Sequence, residues 1–439
     1  MILCTCKMIS NLALQRQDFK QTRYIMTKKA KQFLYTFRRE ALIFFLLFFT
    51  LLRQLPEELH GWNSAWYAMD YSLGFDSRLF IGSVLRLFYP DFLPAKAAYR
   101  FVFLSLILLL FLLSWVLGYA LRQLEGKNAE KGLLLVIALY LLSPGSPSYL
   151  WTAENMGRFD MYLLIASLAA VICCILFRSV WLQLILITAW GFIALSIHQA
   201  FMFLFFPLFF TLYLKAAMAD PLEKGRKPLP VIFAVIGMAG MAAAFLYFQL
   251  FSHIRPSSCG DLVSLLASRT DLPLNEVALN YEYFAATAQS FSELVMNQPG
   301  ERIRYGLVTL LLLAPLALLY GFLWMRILKA AEKKSKPFYA LLLLSHLCIV
   351  PAFLMAIDWG RWFGAFLTMQ ALQLVILAAK GDAPVLSALS SLADVFRRHP
   401  YIFFFAAIWM GSLDKFQATL LPDAPVFFYS LYELYRFIF

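Results

Sequence analysis

The sequence predicts an all-α polytopic membrane protein with about 11 transmembrane helices. Of its 439 residues, 62% are hydrophobic and only 15% are charged. Apolar stretches recur at the length of a bilayer crossing, and basic residues gather in alternate loops between them. No hydrophilic stretch is large enough to fold separately. We therefore expect a basic cytoplasmic segment, 1–40, followed by a single transmembrane helical domain, 41–439.

Eleven apolar stretches are predicted to cross the membrane. They are 41–55, 98–121, 132–150, 161–178, 181–197, 200–214, 230–252, 305–325, 337–356, 362–379 and 401–413. The closing stretch, VFFYSLYELYRFIF (426–439), is rich in aromatic residues but carries Glu433 and Arg436. It fits either a short twelfth span or an amphipathic helix in the interface, and we favour the interfacial helix.

The net charge of +12 follows from the predicted topology. Basic residues cluster before the first span, after the sixth, after the eighth and before the eleventh. This positive-inside pattern places the N-terminus in the cytoplasm and the chain in the plasma or inner membrane. The lipid bilayer is therefore the expected partner, and the basic balance needs no nucleic acid.

The ends and the cysteines carry little functional signal. Three cysteines lie in apolar stretches, two lie on the cytoplasmic side and Cys259 alone lies outside, so we expect no disulfide framework. The N-terminus lacks the pattern of a cleaved signal peptide. Residues 1–25 are polar and MTKKAKQF, from Met26, would itself make a start, so we expect the first 25 residues to be either dispensable or wrongly assigned to the protein.

With a cytoplasmic N-terminus, two long loops and several short segments lie outside. They are 56–97, 151–160, the turn at His198, 253–304, 357–361 and the residues after 413. In the first, FDSRLFIGSVLRLFYP (75–90) repeats apolar residues at helical spacing, which predicts an amphipathic helix resting on the membrane surface. The second long loop is acidic and poor in Pro and Gly, which predicts a small helical cap.

Two short stretches place charges where the chain enters the bilayer, TAENMGRFDMYLL (152–164) and AIDWGRWFGAF (356–366). Both contain a Gly-Arg-aromatic step, and both fall on the predicted outer face. Charges near bilayer depth are costly unless paired or hydrated, so this face is the candidate functional site. Its candidate residues are Asp70, Asp76, Arg78, Glu154, Arg158, Asp160, His198, Asp358 and Arg361.

These residues also have structural interpretations. Asp76 directly precedes the amphipathic helix and could cap it, whereas Asp70 lies six residues earlier and is the preferred catalytic carboxylate. The arginines could snorkel to lipid headgroups, or could form clasps with acids three or four residues away. His198 could be an interhelical hydrogen-bonding group.

Motif searches narrow the chemistry. The sequence has no Walker loop, dinucleotide-binding turn, HExxH or zinc-spaced CxxC motif. We therefore expect no cofactor and no metal site. A divalent cation held by carboxylates remains open, and its oxygen ligands would come from Asp70, Asp76, Glu154 and Asp358.

The residue types fit transfer from a lipid-linked phosphate. The anionic leaving group would be held by Arg78, Arg158, Arg361 and His198. Asp70 would take the proton of an acceptor hydroxyl, while Glu154 or Asp160 would orient the arginines or act as the alternate base. The reaction would be a single displacement at a sugar carbon, and it requires Asp70 to lie close to the arginines at 158 and 361.

Taken together, these features resemble the C-type integral-membrane glycosyltransferases, the GT-C superfamily. The likeness covers the architecture of the whole chain: the span count, a cytoplasmic N-terminus, an Asp ahead of an amphipathic helix and arginines on later outside loops. The family often has paired acids in the first loop, whereas here Tyr71 follows Asp70. The resemblance implies a polyprenyl-phosphate or polyprenyl-pyrophosphate sugar donor, a glycan or lipid acceptor in cell-envelope synthesis, and a catalytic role for Asp70 and secondarily for Asp76.

Three other function classes remain open. A polymerase or ligase of lipid-linked O-antigen or capsule repeats would depend on the arginines and His198 more than on Asp70. A lipid or solute transporter or flippase would bind an anionic headgroup during passage, and predicts charges at mid-membrane depth and at both faces. A non-catalytic scaffold would leave the convergence of Asp70, Arg158 and Arg361 unexplained.

Overall fold

The computed structural model describes residues 35–218, 229–284, 299–355 and 358–416, together with Arg436. These residues are mostly helical, with almost no sheet. The helices are α1 (Arg38–Gln54), α2 (Gly61–Ala68), α3 (Leu79–Arg86), α4 (Ala95–Gln123), α5 (Asn128–Leu142), α6 (Asp160–Leu176), α7 (Val180–Ile197), α8 (Phe201–Leu204), α9 (Phe206–Met218), α10 (Leu229–Phe251), α11 (Cys259–Ala267), α12 (Glu276–Tyr283), α13 (Pro299–Leu312), α14 (Ala314–Ala330), α15 (Lys336–Ser345), α16 (Val350–Met355), α17 (Trp359–Ala379), α18 (Ala383–Arg398) and α19 (Pro400–Ser412). Two short strands are β1 (Gly74–Phe75) and β2 (His253–Ile254). The N-terminal 25 residues and the predicted closing helix lie outside the described residues, apart from Arg436.

The protein is a membrane protein with several helices fit to cross a bilayer. Six described stretches are long and apolar enough, and a seventh is obtained if α13 and α14, bent by 72° at their junction, form one span. The six are Ala95–Gln123, Asn128–Trp151, Val180–Ile197, Leu229–Phe251, Lys336–Phe353 and Trp359–Ala379. The remaining predicted spans fall on shorter helices such as α6 and α19, so the expected count of 11 is not confirmed.

Helix α17 is the centre of the bundle, because almost all of its residues are buried. Its polar side chains form hydrogen bonds within the apolar surroundings, because burying an unpaired polar group costs free energy. The Gln373 amide donates to Thr211 Oγ1 at 2.7 Å, and its Oε1 lies 2.8 Å from His346 Nε2. Trp324 Nε1 donates to Gln370 Oε1 at 2.7 Å. Helix α10 is the opposite case, with most of its apolar side chains exposed as expected for a lipid-facing helix.

Helix α18 was not predicted from the sequence. It is amphipathic, burying Val385, Leu389 and Leu392 on one face, and it packs against α5 and α14. Ser, Asp and Arg residues on its other face lower its hydropathy, so it does not register as a membrane span. It lies between the C-terminus of α17 and the N-terminus of α19.

The two long loops lie together at one end of the bundle, called here the loop end. Strands β1 and β2 pair antiparallel, with Gly74 opposite Ile254 and Phe75 opposite His253. The first loop contains the predicted helix as α3, whose residues Leu79, Ile81 and Leu85 are buried against the protein, whereas Leu87 and Phe88, directly after it, are exposed. The part of the predicted cap that the structure describes contains the short helices α11 and α12.

Candidate functional site

A buried ion pair joins the starts of α6 and α17 at the loop end. Arg361 donates from Nε to Asp160 Oδ2 at 2.6 Å and from Nη2 to Asp160 Oδ1 at 2.8 Å. Its Nη1 donates to Asp358, so the predicted pair of these two residues is present. The guanidinium also lies over the ring of Trp362, 5.1 Å from its centroid. Arg361 therefore has each of its guanidinium nitrogens engaged, and it joins two helices through Asp160, a partner that was not predicted from the sequence.

Arg158 has fewer partners than Arg361. Its side chain is 11% exposed, and in the described part of the chain its guanidinium makes no hydrogen bond. The nearest acidic atom is Asp358 Oδ2, 4.0 Å from Nη1, and Nε is buried without a partner. Burial and the charge of Arg361 lower the pKa of Arg158 to about 10, so the group is still a cation at neutral pH. Arg158 is thus a buried positive charge with donors to offer.

His198 lies in the turn between α7 and α8, close to both groups of charges. Burial and the neighbouring charges of Arg78 and Arg361 hold the pKa of its imidazole well below the usual range, against the opposing effect of Asp160. Its Nδ1 accepts only a long bond, 3.4 Å, from the backbone N–H of Ala200. At neutral pH the ring is therefore uncharged and a weak base, with no positive charge to bind a phosphate.

Asp76 lies two residues before Arg78 in the first loop, and the charge of Arg78 acts on His198. Its Oδ1 accepts the backbone N–H of Arg78 at 2.8 Å, which is the predicted capping interaction before α3. The Arg78 guanidinium pairs with Glu282 of α12 and lies over the Trp66 ring, 5.1 Å from its centroid. Asp76 has no ion pair among the described residues, and its carboxylate lies beside Tyr283 as well as Arg78.

The second long loop packs against the first loop next to Asp76. Tyr283 of α12 lies beside Asp76, and burial together with the Asp76 charge raises the pKa of its phenol well above the usual range. Tyr283 packs edge-to-face on Trp66, with ring centroids 5.9 Å apart. A proton on this phenol is therefore retained at all ordinary pH values.

Asp70 does not join this group. Its Oδ2 accepts from Arg86 at 2.6 Å and from Arg269 at 3.2 Å, and its Oδ1 accepts the Ser72 N–H at 2.6 Å. Burial opposes ionisation, but these hydrogen bonds outweigh it and lower the pKa of Asp70. A carboxylate held by two arginines is a poor base. The adjoining cavity, about 20 Å³, has room for one water at most.

The expected closeness of Asp70 to Arg158 and Arg361 is therefore not seen among the described contacts, and Asp70 instead ties the two long loops together. The physical reason is competition: Arg86 and Arg269 are nearer partners for its carboxylate. The first loop reaches this site through Asp76 and Arg78, and the charges of Arg78, Arg158 and Arg361 all act on His198. Sequence reasoning missed the partners Glu282, Tyr283, Trp66, Arg86 and Arg269, and the only signal for them was opposite charge in two loops predicted to share a face.

Glu154 lies in the loop before α6, half-buried and near Arg158. Asn63 of α2 holds this loop by donating to the backbone oxygens of Glu154 and Met156, at 2.9 and 3.1 Å. Tyr67 donates to Gly157 O at 2.7 Å. Gly157 has φ = 89°, a conformation that favours glycine in the turn before Arg158. Helix α2 therefore fixes the turn that carries Arg158.

We call Asp76, Arg78, Glu154, Arg158, Asp160, His198, Glu282, Asp358 and Arg361 the arginine site. Among the described residues, no group of three or more His, Cys, Asp or Glu side chains is arranged to hold a metal ion. Comparisons with protein-family models, with curated proteins and with solved structures gave no match to this chain. Function is therefore inferred from the geometry of the site.

Proposed function

We propose that the protein is a membrane glycosyltransferase that moves a sugar from a polyprenyl-linked phosphate or pyrophosphate to a hydroxyl acceptor. The observation that carries the proposal is Arg158, a buried guanidinium with unused donors beside carboxylates and a neutral histidine. A buried cation without a hydrogen-bond partner is costly, and an anionic ligand would relieve that cost. Lipid-linked phosphates bring such an anion to the membrane boundary.

The proposed step is a single displacement. The acceptor oxygen forms a bond to the sugar carbon, and the bond from that carbon to the phosphate oxygen breaks with its electron pair on the leaving phosphate. Arg158 binds the leaving oxygen anion. The proton of the acceptor hydroxyl passes to a carboxylate, for which we propose Asp76 in place of Asp70, because Asp70 is held by two arginines. Glu154 is the alternate base.

The proposal includes a topology. The chain has about 11 spans, as in the GT-C superfamily, with a cytoplasmic N-terminus and the loop end on the outer face of the plasma or inner membrane. The basic clusters between spans support this orientation. The acceptor would be a glycan or lipid of the cell envelope.

Two runner-up functions each have a specific observation in their favour. A polymerase or ligase of lipid-linked repeats fits His198, which is buried, uncharged and next to two arginines. A transporter fits the polar chain of Thr211, Gln373 and His346, because His346 lies at the interruption between α15 and α16. These polar groups are already paired with one another, and this favours a structural role.

The test is sugar transfer by the purified chain reconstituted in lipid, assayed with a panel of polyprenyl-phosphate and polyprenyl-pyrophosphate sugars. Asp76→Asn is expected to abolish turnover while retaining donor binding. Asp70→Asn is the matched control in the same loop, and it should retain turnover. Loss with His198→Gln but not with Asp76→Asn would favour the polymerase or ligase. Absence of turnover with every donor would reject the proposal and lead to transport assays.

A further inference from the structure

We infer that the protein binds an anionic two-chain phospholipid in a groove between α5, α14, α18 and α19. Two adjoining cavities, of about 480 and 520 Å³, form this groove, and Leu139 and Phe403 line both of them. Cavities of this size are typical of ligand sites. One acyl chain of the phospholipid lies in each cavity, and the groove takes no part in the proposed sugar transfer.

The walls of the groove are suited to hydrocarbon. All the side chains that line the two cavities are aliphatic or aromatic, and the polar atoms of the Trp and the Tyr among them are paired. Trp409 Nε1 donates to Leu312 O at 2.7 Å, and the Tyr401 hydroxyl lies 3.0 Å from a ring nitrogen of His399. Leu318 and Phe405, at the rim, are exposed. An exposed apolar rim on a membrane protein faces the bilayer, so an acyl chain can enter the groove sideways.

Positive charge gathers at the end of the groove away from the loop end, where α5 begins. The Arg326 guanidinium lies over the ring of Phe322, a wall residue, 5.3 Å from its centroid. Arg397 and Arg398 are the last residues of α18. Arg397 pairs with Asp394 at 3.1 Å, whereas Arg326 and Arg398 are exposed and make no ion pair among the described residues. Basic groups beside a cavity between membrane helices attract the phosphate of an anionic headgroup.

The same charges disfavour a second copy of the chain as the occupant of the groove. A symmetric contact between two copies brings the same surface of each together, and two copies in one bilayer lie at the same depth. The arginines at 326, 397 and 398 of one copy would then approach those of the other, and like charges repel. A phosphate group between them would remove this repulsion.

The groove also adjoins the bend between α13 and α14. Ala314 and Pro315, directly after the bend, line the 480 Å³ cavity, and the two helices meet at 72°. Proline lacks the N–H that would continue the hydrogen bonding of α13 into α14. An acyl chain packed against the bend would add apolar contacts where a straight helix would have its own neighbours. Binding of the phospholipid should therefore stabilise the folded protein.

The test measures the binding of phosphatidylglycerol and of phosphatidylcholine with the same acyl chains to the purified, delipidated full-length chain, by native mass spectrometry. Phosphatidylglycerol should bind at least about fivefold more tightly, the ratio that one arginine near an anionic headgroup supplies. Arg326→Ala combined with Arg398→Ala should weaken this binding about tenfold or more, and should leave phosphatidylcholine unaffected. Arg178→Ala is the matched control, because this exposed arginine follows α6 at the same end of the bundle but lies outside the groove.

A second pair of variants tests the acyl-chain site. Ala406→Trp places an indole in the 480 Å³ cavity and should prevent binding of both phospholipids. Ala243→Trp, at an exposed position of the lipid-facing α10, is its matched control and should bind normally. Phosphatidylglycerol should raise the melting temperature of the native chain and of Ala243→Trp, but not that of Ala406→Trp. If Ala406→Trp does not fold, the two-arginine variant and the melting temperature of the native chain still decide the outcome.

Four results would overturn the inference. Equal affinities for the two phospholipids would remove the role of the arginines, as would native affinity in the two-arginine variant. Dimerisation of the delipidated chain that Ala406→Trp abolishes would make a second copy the occupant. Phosphatidylglycerol binding that rises tenfold or more when residues 417–439 are removed would make that segment of the chain the occupant. None of these measurements depends on sugar transfer, so the proposed function stands or falls separately.

Discussion

At the scale of single residues, two arginines of one site have opposite relations to stability. Arg361 is compensated by Asp160 and Asp358, whereas Arg158 has burial without a hydrogen bond. We expect Arg361→Met to lower the free energy of unfolding by about 3–5 kcal/mol, because Asp160 is left buried and unpaired. The melting temperature should fall strongly as a result. Arg158→Met should raise the melting temperature, because the cost of a largely buried guanidinium without a hydrogen-bond partner is removed, and Asp358 keeps its pair with Arg361.

The measurement is thermal unfolding of both variants in the same detergent. A melting temperature that falls equally in both variants would contradict the distinction, and would make Arg158 a structural clasp as well. Sites that bind charged ligands are where such a stability cost is expected. For Arg158→Met, the binding of an anionic ligand should therefore weaken while the melting temperature rises.

The sequence predicted an ion pair correctly where both residues lie at the start of the same helix, so that helical spacing applies. Asp358 and Arg361, three apart, form the expected pair at the start of α17. Glu154 and Arg158, four apart, form no ion pair within the described contacts, because residues 152–159 are a turn and the helical rule does not apply there. Asp70 could not be placed from sequence, since its partner Arg269 lies in another loop, 199 residues away.

At the scale of elements, the packing of the unpredicted α18 can be tested at Gly132, where α5 closely approaches α18. A Cβ on Gly132 of α5 would lie 2.0 Å from Leu389 O, a backbone atom that cannot rotate away. Gly132→Ala should therefore separate α5 from α18 and destabilise the protein by about 1–3 kcal/mol. Gly321→Ala in α14 is the matched control, because its Cβ would meet nothing within 4 Å, and it should be neutral or slightly stabilising. Equal melting temperatures for the two variants would contradict this packing.

The end of α5 provides a second element-scale prediction, in pH. Lys415 Nζ donates to Ser143 O at 2.8 Å and to Ser146 Oγ at 3.1 Å, closing the C-terminus of the helix. Burial lowers its pKa from 10.5 to about 8, against the opposing charge of Asp414. Between these pH values the unfolded chain holds a proton that the folded chain lacks, so stability rises with pH.

We therefore expect the melting temperature of the native chain, relative to Lys415→Met, to increase from pH 8 to pH 10. The two melting curves are measured at each pH, and their difference isolates the lysine from the other titrating groups. A difference that is constant over this range would mean that Lys415 titrates at its ordinary pKa and is not closed off against α5.

At the scale of the whole molecule, apolar length and basic clusters were enough to predict a helical membrane protein. The boundaries of the spans were less predictable, because several helices are shorter than a bilayer crossing and others are interrupted, as at Leu313 between α13 and α14. The amphipathic α18 was invisible to a search for apolar runs. Contacts between the two long loops were also beyond sequence reasoning, since they depend on pairing of segments far apart in the chain.

Orientation is the property of the whole molecule on which an outer-face reaction depends. Cys259, in α11 at the loop end, is predicted to lie outside, and Ser387 is exposed on α18, which follows the opposite end of α17. A membrane-impermeant maleimide should therefore label Cys259 in intact cells, and the label should be absent from Cys259→Ser. Burial and Glu276 raise the pKa of the Cys259 thiol, so mildly alkaline buffer is needed to form the reactive thiolate. Ser387→Cys, introduced into a chain in which Cys4, Cys6 and Cys259 are replaced by Ser, should react only after the membrane is permeabilised. The reverse pattern would place the arginine site on the cytoplasmic face, and would exclude sugar transfer to an acceptor outside the cell whatever the chemistry of Arg158 and Asp76.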